Sequence, residues 1–295
     1  MLTLIPRQSP SFVPRQPIGQ ITILESRQFV VPSGVTTISV VCVGPGGKAG
    51  SSENGRRMGG GGGGGALCWA NIPVQPGDVL DVVVGKAAQV TAIWNAVSTV
   101  VTSITRNGVV LMSATSGRHG RAGSFAQGSG PGGLGGTFTH HASLTDKGGG
   151  NGGNGGNGGT YSAANDASTG AGGGAGGYLG KGGNGAGGGS GGANSVQLGG
   201  NPDVDSGGGA GASAPGTGYT AYVGGGVGLQ GKGANGVVNQ KAGNGGSGSP
   251  PGPFYGAGTN TTAAGYAQDG ACRIIWGTGR SFPSTKTADM EAATA

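Results

Sequence analysis

The sequence predicts an all-β protein in two parts: an N-terminal antiparallel β-sandwich or jelly-roll-like domain, and a bundle of packed polyglycine II helices. Three observations predict it. Glycine supplies 76 of the 295 residues, about one in four against roughly 7% in ordinary globular chains. Residues 21–117 carry β-branched runs separated by turn signals, and beyond them the glycines recur with a period of three. Hydrophobic residues are 34% and charged residues 9% of the chain, too few of either for a conventional enzyme built around one large core. The high net charge and low-complexity polar content of disordered chains are also missing. Something must therefore hold the glycines in place.

Residues 1–20 set Pro6, Pro10, Pro14 and Pro17 among polar and basic residues. Each proline fixes φ near −65° and blocks helix, so this stretch reads as an extended attachment arm. Residues 21–117 then read as the β-sandwich domain, with strands expected at 28–31, 35–43, 66–72, 79–84, 97–105 and 109–114. Pro32-Ser33-Gly34, Pro76-Gly77-Asp78 and Asn107-Gly108 separate them, the last being a strong hairpin signal. Ile274, Ile275 and Trp276 have the same apolar character far downstream. They are expected to return to the sandwich, making residues 269–295 a returning strand and tail.

Residues 118–268 read as the bundle. Asn151, Asn154 and Asn157 are each separated by Gly-Gly, and Ala175, Tyr178, Lys181, Asn184, Gly187, Ser190 and Ala193 share one phase. A period of three matches neither the 3.6 of an α-helix nor the 2 of a strand. It matches the left-handed polyproline II helix, which has three residues per turn and no internal hydrogen bonds. Each ordered glycine costs roughly 0.5–1 kcal/mol more than alanine, so an isolated helix of this kind is unstable. Bare glycine faces let neighbours approach and exchange N–H···O=C bonds laterally, which satisfies the backbone. Collagen uses one Gly per triplet with abundant Pro in long repeats, whereas Gly-Gly-X in short runs predominates here.

Breaks at 137–147, 160–169, 194–206, 213–223 and 237–242 are expected as loops. If the bundle starts and ends beside the sandwich, its helices are even in number and alternate loops are distal. That places His140, His141, Asp146, Asp203, Asp205, Asn239 and Lys241 at the far tip as candidate receptor contacts. It places Tyr161, Tyr219, Tyr222, Phe254 and Tyr255 beside the sandwich.

Several motifs lack the context their chemistry needs. Gly44-Pro45-Gly46-Gly47-Lys48-Ala49 approximates a dinucleotide fingerprint, but a seven-glycine run follows instead of the helix that would face a pyrophosphate. Gly188-Gly189-Ser190-Gly191-Gly192 spells GxSxG without the strand-turn-helix of a nucleophile elbow. The adjacent His140 and His141 have no third ligand at strand or helix spacing, so no metal or other cofactor is expected. Cys42, Cys68 and Cys272 are odd in number, without CxxC spacing, and Cys42 and Cys272 sit in apolar runs as buried thiols. The charge of +6 is scattered, leaving no nucleic-acid footprint. Neither a secretory signal nor an apolar span is read, so a soluble product made in the cytoplasm is expected. With no converged acid, base or nucleophile, the chain is not expected to be an enzyme.

Two stretches carry a resemblance. Val31-Pro32-Ser33-Gly34-Val35-Thr36-Thr37-Ile38-Ser39-Val40-Val41-Cys42-Val43-Gly44, with polyglycine after it, resembles the glycine-rich domain of phage structural proteins. Gly270-Ala271-Cys272-Arg273-Ile274-Ile275-Trp276-Gly277-Thr278-Gly279-Arg280-Ser281-Phe282-Pro283-Ser284-Thr285 resembles the C-terminus of glycine-rich phage tail-fibre and virion proteins. The period-three block is similar to the polyglycine-II tip adhesins of T-even-like phage tail fibres, although the N-terminal part does not match their fibre-attachment region. The resemblance implies a non-enzymatic virion protein, a tail-fibre component or tip adhesin. Its arm and sandwich would bind other virion proteins and its distal loops a host glycan or outer-membrane protein, without nucleic acid or membrane insertion. A capsid or tail decoration protein that binds only virion subunits is the alternative. An ice-binding surface is disfavoured, because the single-phase row carries Tyr178 and Lys181.

Overall fold

The computed structural model describes residues 16–52, 58–90, 100–124, 129–159, 169–188, 224–232, 254–258 and 267–290. These form an all-β arrangement with almost no helix. The strands are β1 (Gly19–Ile23), β2 (Arg27–Val30), β3 (Thr37–Val43), β4 (Leu67–Pro73), β5 (Val79–Val83), β6 (Val101–Arg106), β7 (Val109–Thr115), β8 (Phe138–His140), β9 (Lys147–Gly150) and β10 (Ala271–Trp276), with one 3₁₀ turn at Ala87–Gln89. One antiparallel sheet runs β1-β10-β3-β4-β9 and the other β2-β5-β6-β7-β8. The strands expected between residues 28 and 114 appear as β2 to β7 with shifted ends. Ala271–Trp276 lies between β1 and β3, pairing Ile274 with Val40 and Ile21. At the β6–β7 hairpin, Asn107 and Gly108 have φ of 52° and 76°, the double positive φ of a type I′ turn.

Period-two alternation sends Phe29, Leu80, Val82, Ile104 and Met112 of one sheet into the same buried cluster as Ile38, Val40, Cys42, Cys68 and Ile274 of the other. The strand β3 is instead buried on both faces. Its Val41 and Val43 join a second cluster with Trp69, Tyr178, Tyr255, Ile275 and Phe282. This is why residues 40–43 read as an unbroken apolar run rather than an alternating one. The opposite sheet leaves Val30, Val79, Val83 and Val110 exposed.

The strands lead directly into glycine-rich segments. β3 continues into 44–52, 58–66 leads into β4, β7 continues into 116–124, 129–137 leads into β8, and β9 continues into 151–159. The segments bond laterally at every third residue. The amides of Gly44, Gly47 and Gly50 donate to Ala66, Gly63 and Gly60, and those of Gly60, Gly63 and Ala66 to Arg121, Arg118 and Thr115. Segment 58–66 is the hub. It also donates to Gly153 and Gly156 and, from Gly65, to Gly256, and it accepts from Gly130, Gly133 and Gly136 and from Gly170, Gly173 and Gly176. Its neighbours are therefore 44–52, 115–124, 129–137, 150–159, 169–179 and 254–258. Met58 to Ala70 is buried without interruption.

Candidate functional site

The register gives the molecule two poles. Within their segments, residues 52, 58, 124 and 159 are the described ends away from the sheets, because pairing runs outward from Gly44–Ala66 to Gly50–Gly60 and from Thr115–Ala66 to Arg121–Gly60. Gln16 lies at the other pole, where its side-chain amide donates to the Thr36 hydroxyl just before β3. Residues 1–15 lie outside the described residues.

The expected distal position of His140, His141 and Asp146 is corrected by this geometry. Residues 138–150 return to the sheets as the edge strands β8, paired with β7, and β9, paired with β4. Their connection therefore lies at the same pole as Gln16. The physical reason is that Phe138-Thr139-His140 has strand character, and Met112, Ser113 and Ala114 of β7 offer it a free edge. Nε2 of His140 lies 3.1 Å from the Trp69 carbonyl oxygen, and burial lowers its pKa, with Lys147 adding repulsion. The His141 ring Nδ1 accepts the Ser143 amide at 3.2 Å, and its carbonyl accepts from Lys147 Nζ at 3.2 Å. The carboxylate of Asp146 accepts from the Asn71 side-chain amide, and its carbonyl accepts the Asn71 amide at 2.9 Å. His140 and Asp146 are thus engaged with β4, whereas the exposed His141 ring bonds only Ser143, within the connection, among the described residues. Asp203, Asp205, Asn239 and Lys241 lie outside the described residues, as do Tyr161, Tyr219 and Tyr222. Tyr255 packs beside Val41, Val43 and Ala271.

Side chains on the repeat phase serve the array. Oδ1 of Asn154 accepts the Gly135 amide and Oδ1 of Asn157 the Gly132 amide, each at 2.9 Å. Oδ1 of Asn184 in turn accepts the Asn154 amide at 2.9 Å. Sequence reasoning saw the spacing of these asparagines but not their use, since only the neighbouring segment supplies the donor.

Where the sheets meet the segments, a cleft of about 410 Å³ is lined by Lys48, Ala87, Ala88, Phe254, Tyr255, Ala267, Gln268 and Asp269. Lys86 stands at its rim, donating to the Leu24 carbonyl and Glu25 Oε1, each at 2.7 Å, with Asp269 Oδ2 at 3.5 Å. The Glu25 hydrogen bond raises the Lys86 pKa, keeping the ammonium charged. Asp269 Oδ1 accepts the Ala87 amide at 2.8 Å. No sequence motif signals this grouping, whose members come from residues 24 to 269.

Cys272, Cys42 and Cys68 align in register across three neighbouring strands of the buried core. Burial pushes the Cys68 and Cys272 thiols well up, so they remain neutral. Among the described residues no group of three or more His, Cys, Asp or Glu side chains is placed to hold a metal ion, and no helix is long and apolar enough to cross a membrane. No protein-family model and no curated protein matches the chain.

Proposed function

We propose that the chain is a phage virion structural protein, a tail-fibre component or tip adhesin, whose glycine segments are polyglycine II helices packed beside a β-sandwich. The observation that carries this reading is the lateral bonding of the hub 58–66 to five neighbours with a three-residue repeat, and to a sixth, 254–258, through Gly65. No described glycine of segments 58–66, 129–137 or 169–188 has a positive φ, in keeping with the φ near −75° of the three-fold helix. Such an array draws its rigidity from main-chain bonds. The connections beyond its ends are then free to vary in sequence without unfolding it, the property a receptor-binding surface needs.

In this reading each pole takes one task. The arm side, with Gln16, attaches to the virion. Receptor contact is carried by Asp203 and Asp205, which lie outside the described residues. Labelled antibody against the chain, imaged on intact particles, should decorate an external fibre. Purified chain added to susceptible cells should reduce phage adsorption, and Asp203→Ala with Asp205→Ala should weaken that block without changing thermal unfolding. Failure of the purified chain to bind cells, with decoration confined to capsid or tail tube, would sink the adhesin reading. It would favour a decoration protein instead, a reading supported by the exposed Val30, Val79, Val83, Val109 and Val110, which suit contact with another subunit.

A further inference from the structure

The cleft at the junction of sheets and segments has the composition of a small-molecule site. Its volume of about 410 Å³ falls within the roughly 300–1,000 Å³ of such sites. Its lining is largely pre-formed. The backbone of Tyr255 is pinned to Val227 by two hydrogen bonds of 3.0 and 3.1 Å, and Gln268 is held through Ala257 and Gly46. Ala87, Ala88 and Ala267 line the cleft together with Phe254 and Tyr255.

The charges are unequally satisfied. Lys86 already pairs with Glu25 and Asp269, and Asp269 already accepts the Ala87 amide. Lys48 lines the same cleft with no hydrogen bond or ion pair from its ammonium to any described residue. A ligand that completes this site presents an anionic group to Lys48, hydroxyls to Gln268 and Asp269, and an apolar face to the aromatic rings. A pyranose ring has one face of C–H groups and a rim of hydroxyls, and a carboxylate supplies the charge. We propose that this cleft binds an acidic sugar residue, of the uronic acid kind, through a Lys48–carboxylate pair. The cleft stands at the sheet ends of the segments, so the proposal does not depend on the receptor reading of the far pole.

The test is an amide-resolved NMR titration of the full chain with methyl glucuronide, methyl glucoside and sodium acetate. Methyl glucuronide should give saturable shifts at Lys48, Gln268 and Asp269, with methyl glucoside binding about tenfold more weakly, as expected for loss of a charge-assisted hydrogen bond. Acetate should give no saturable shift there. Lys48→Gln should bring glucuronide affinity down to that of the glucoside, while Lys48→Arg should retain most of it. Both variants should melt as the parent does, because Lys48 is only partly buried. Absence of saturable shifts, equal binding of both sugars, binding of acetate as tight as glucuronide, or an unaffected Lys48→Gln would each overturn the proposal.

Discussion

The indole of Trp69 donates its Nε1–H to the carbonyl oxygen of Tyr178 at 2.8 Å, tying strand β4 to the turn between segments 169–179 and 180–188. Tyr178 extends the link. Its hydroxyl donates to the Gly228 carbonyl at 3.0 Å, accepts the Gly231 amide at 3.1 Å, and its ring stacks on Phe282 at 5.8 Å. Burial pushes the phenol pKa up, so the hydroxyl keeps its proton and both bonds. One residue thus joins a sheet, two glycine segments and the C-terminal tail.

Tyr178→Phe should therefore be costly although it removes a single oxygen. The Gly228 carbonyl and Gly231 amide are left buried without partners, each costing about 1–3 kcal/mol. A loss of about 2–4 kcal/mol in urea-induced unfolding is expected. A loss below about 0.5 kcal/mol would mean that other donors and acceptors replace the hydroxyl.

Two glycine substitutions separate steric from conformational cost. A Cβ on Gly176 would collide with the carbonyl of Gly150, which is backbone and cannot swing away. Gly176→Val should prevent soluble assembly. Gly108 has nothing within 4 Å of its Cβ position but φ of +76°, so Gly108→Val should cost only about 1–2 kcal/mol and leave the protein soluble. Comparable soluble yield and melting for the two variants would contradict the close packing of the segments.

The asparagine ladder predicts a difference between Ala and Asp. Asn154→Ala or Asn157→Ala removes the acceptor for Gly135 or Gly132 and should cost about 0.5–1.5 kcal/mol each. Asn157→Asp keeps an acceptor oxygen and should cost less than Asn157→Ala. Chemical denaturation of the three variants checks the order.

Stability should fall on mild acidification. Burial lowers the pKa of both His119 and His140 from the ordinary 6.5, so the unfolded chain binds protons first as pH falls. The contribution is complete above pH 6.5 and is lost below it, down to the folded-state values. The denaturation midpoint should drop between pH 7.5 and 5.5, and the drop should shrink in a His119→Gln, His140→Gln double variant. An unchanged pH dependence in that variant would assign the effect to other groups.

The seven-glycine run shows how the sequence could be read further than its period. Cβ atoms on Gly59, Gly62 and Gly65 would strike Gly50, Gly47 and Gly44; those on Gly60 and Gly63 would strike Pro131 and Leu134; those on Gly61 and Gly64 would strike Ala171 and Gly174. A run without a side chain on any of its three phases is covered on all three faces. Residues 151–158 keep asparagine on one phase because that phase lies at an edge. Residues 59–65 fall inside the strand-rich part of the sequence, yet they bond to segments on both sides of residue 117. The cleft was illegible for a different reason. Lys48, Phe254 and Asp269 share no motif, and only the return of residues 267–276 to β3 brings them together.

Local chemistry alone determined the all-β character, the hairpin at Asn107-Gly108 and the strand at residues 271–276. β-branching, positive-φ residues and the exclusion of helix by glycine and proline act over a few neighbours and need no partner. Which end each loop occupies was a tertiary decision. Residues 138–140 can remain a loop or add to a sheet, and the free edge of β7 settles which, because backbone donors and acceptors left unpaired by sequence neighbours are satisfied wherever the fold supplies partners.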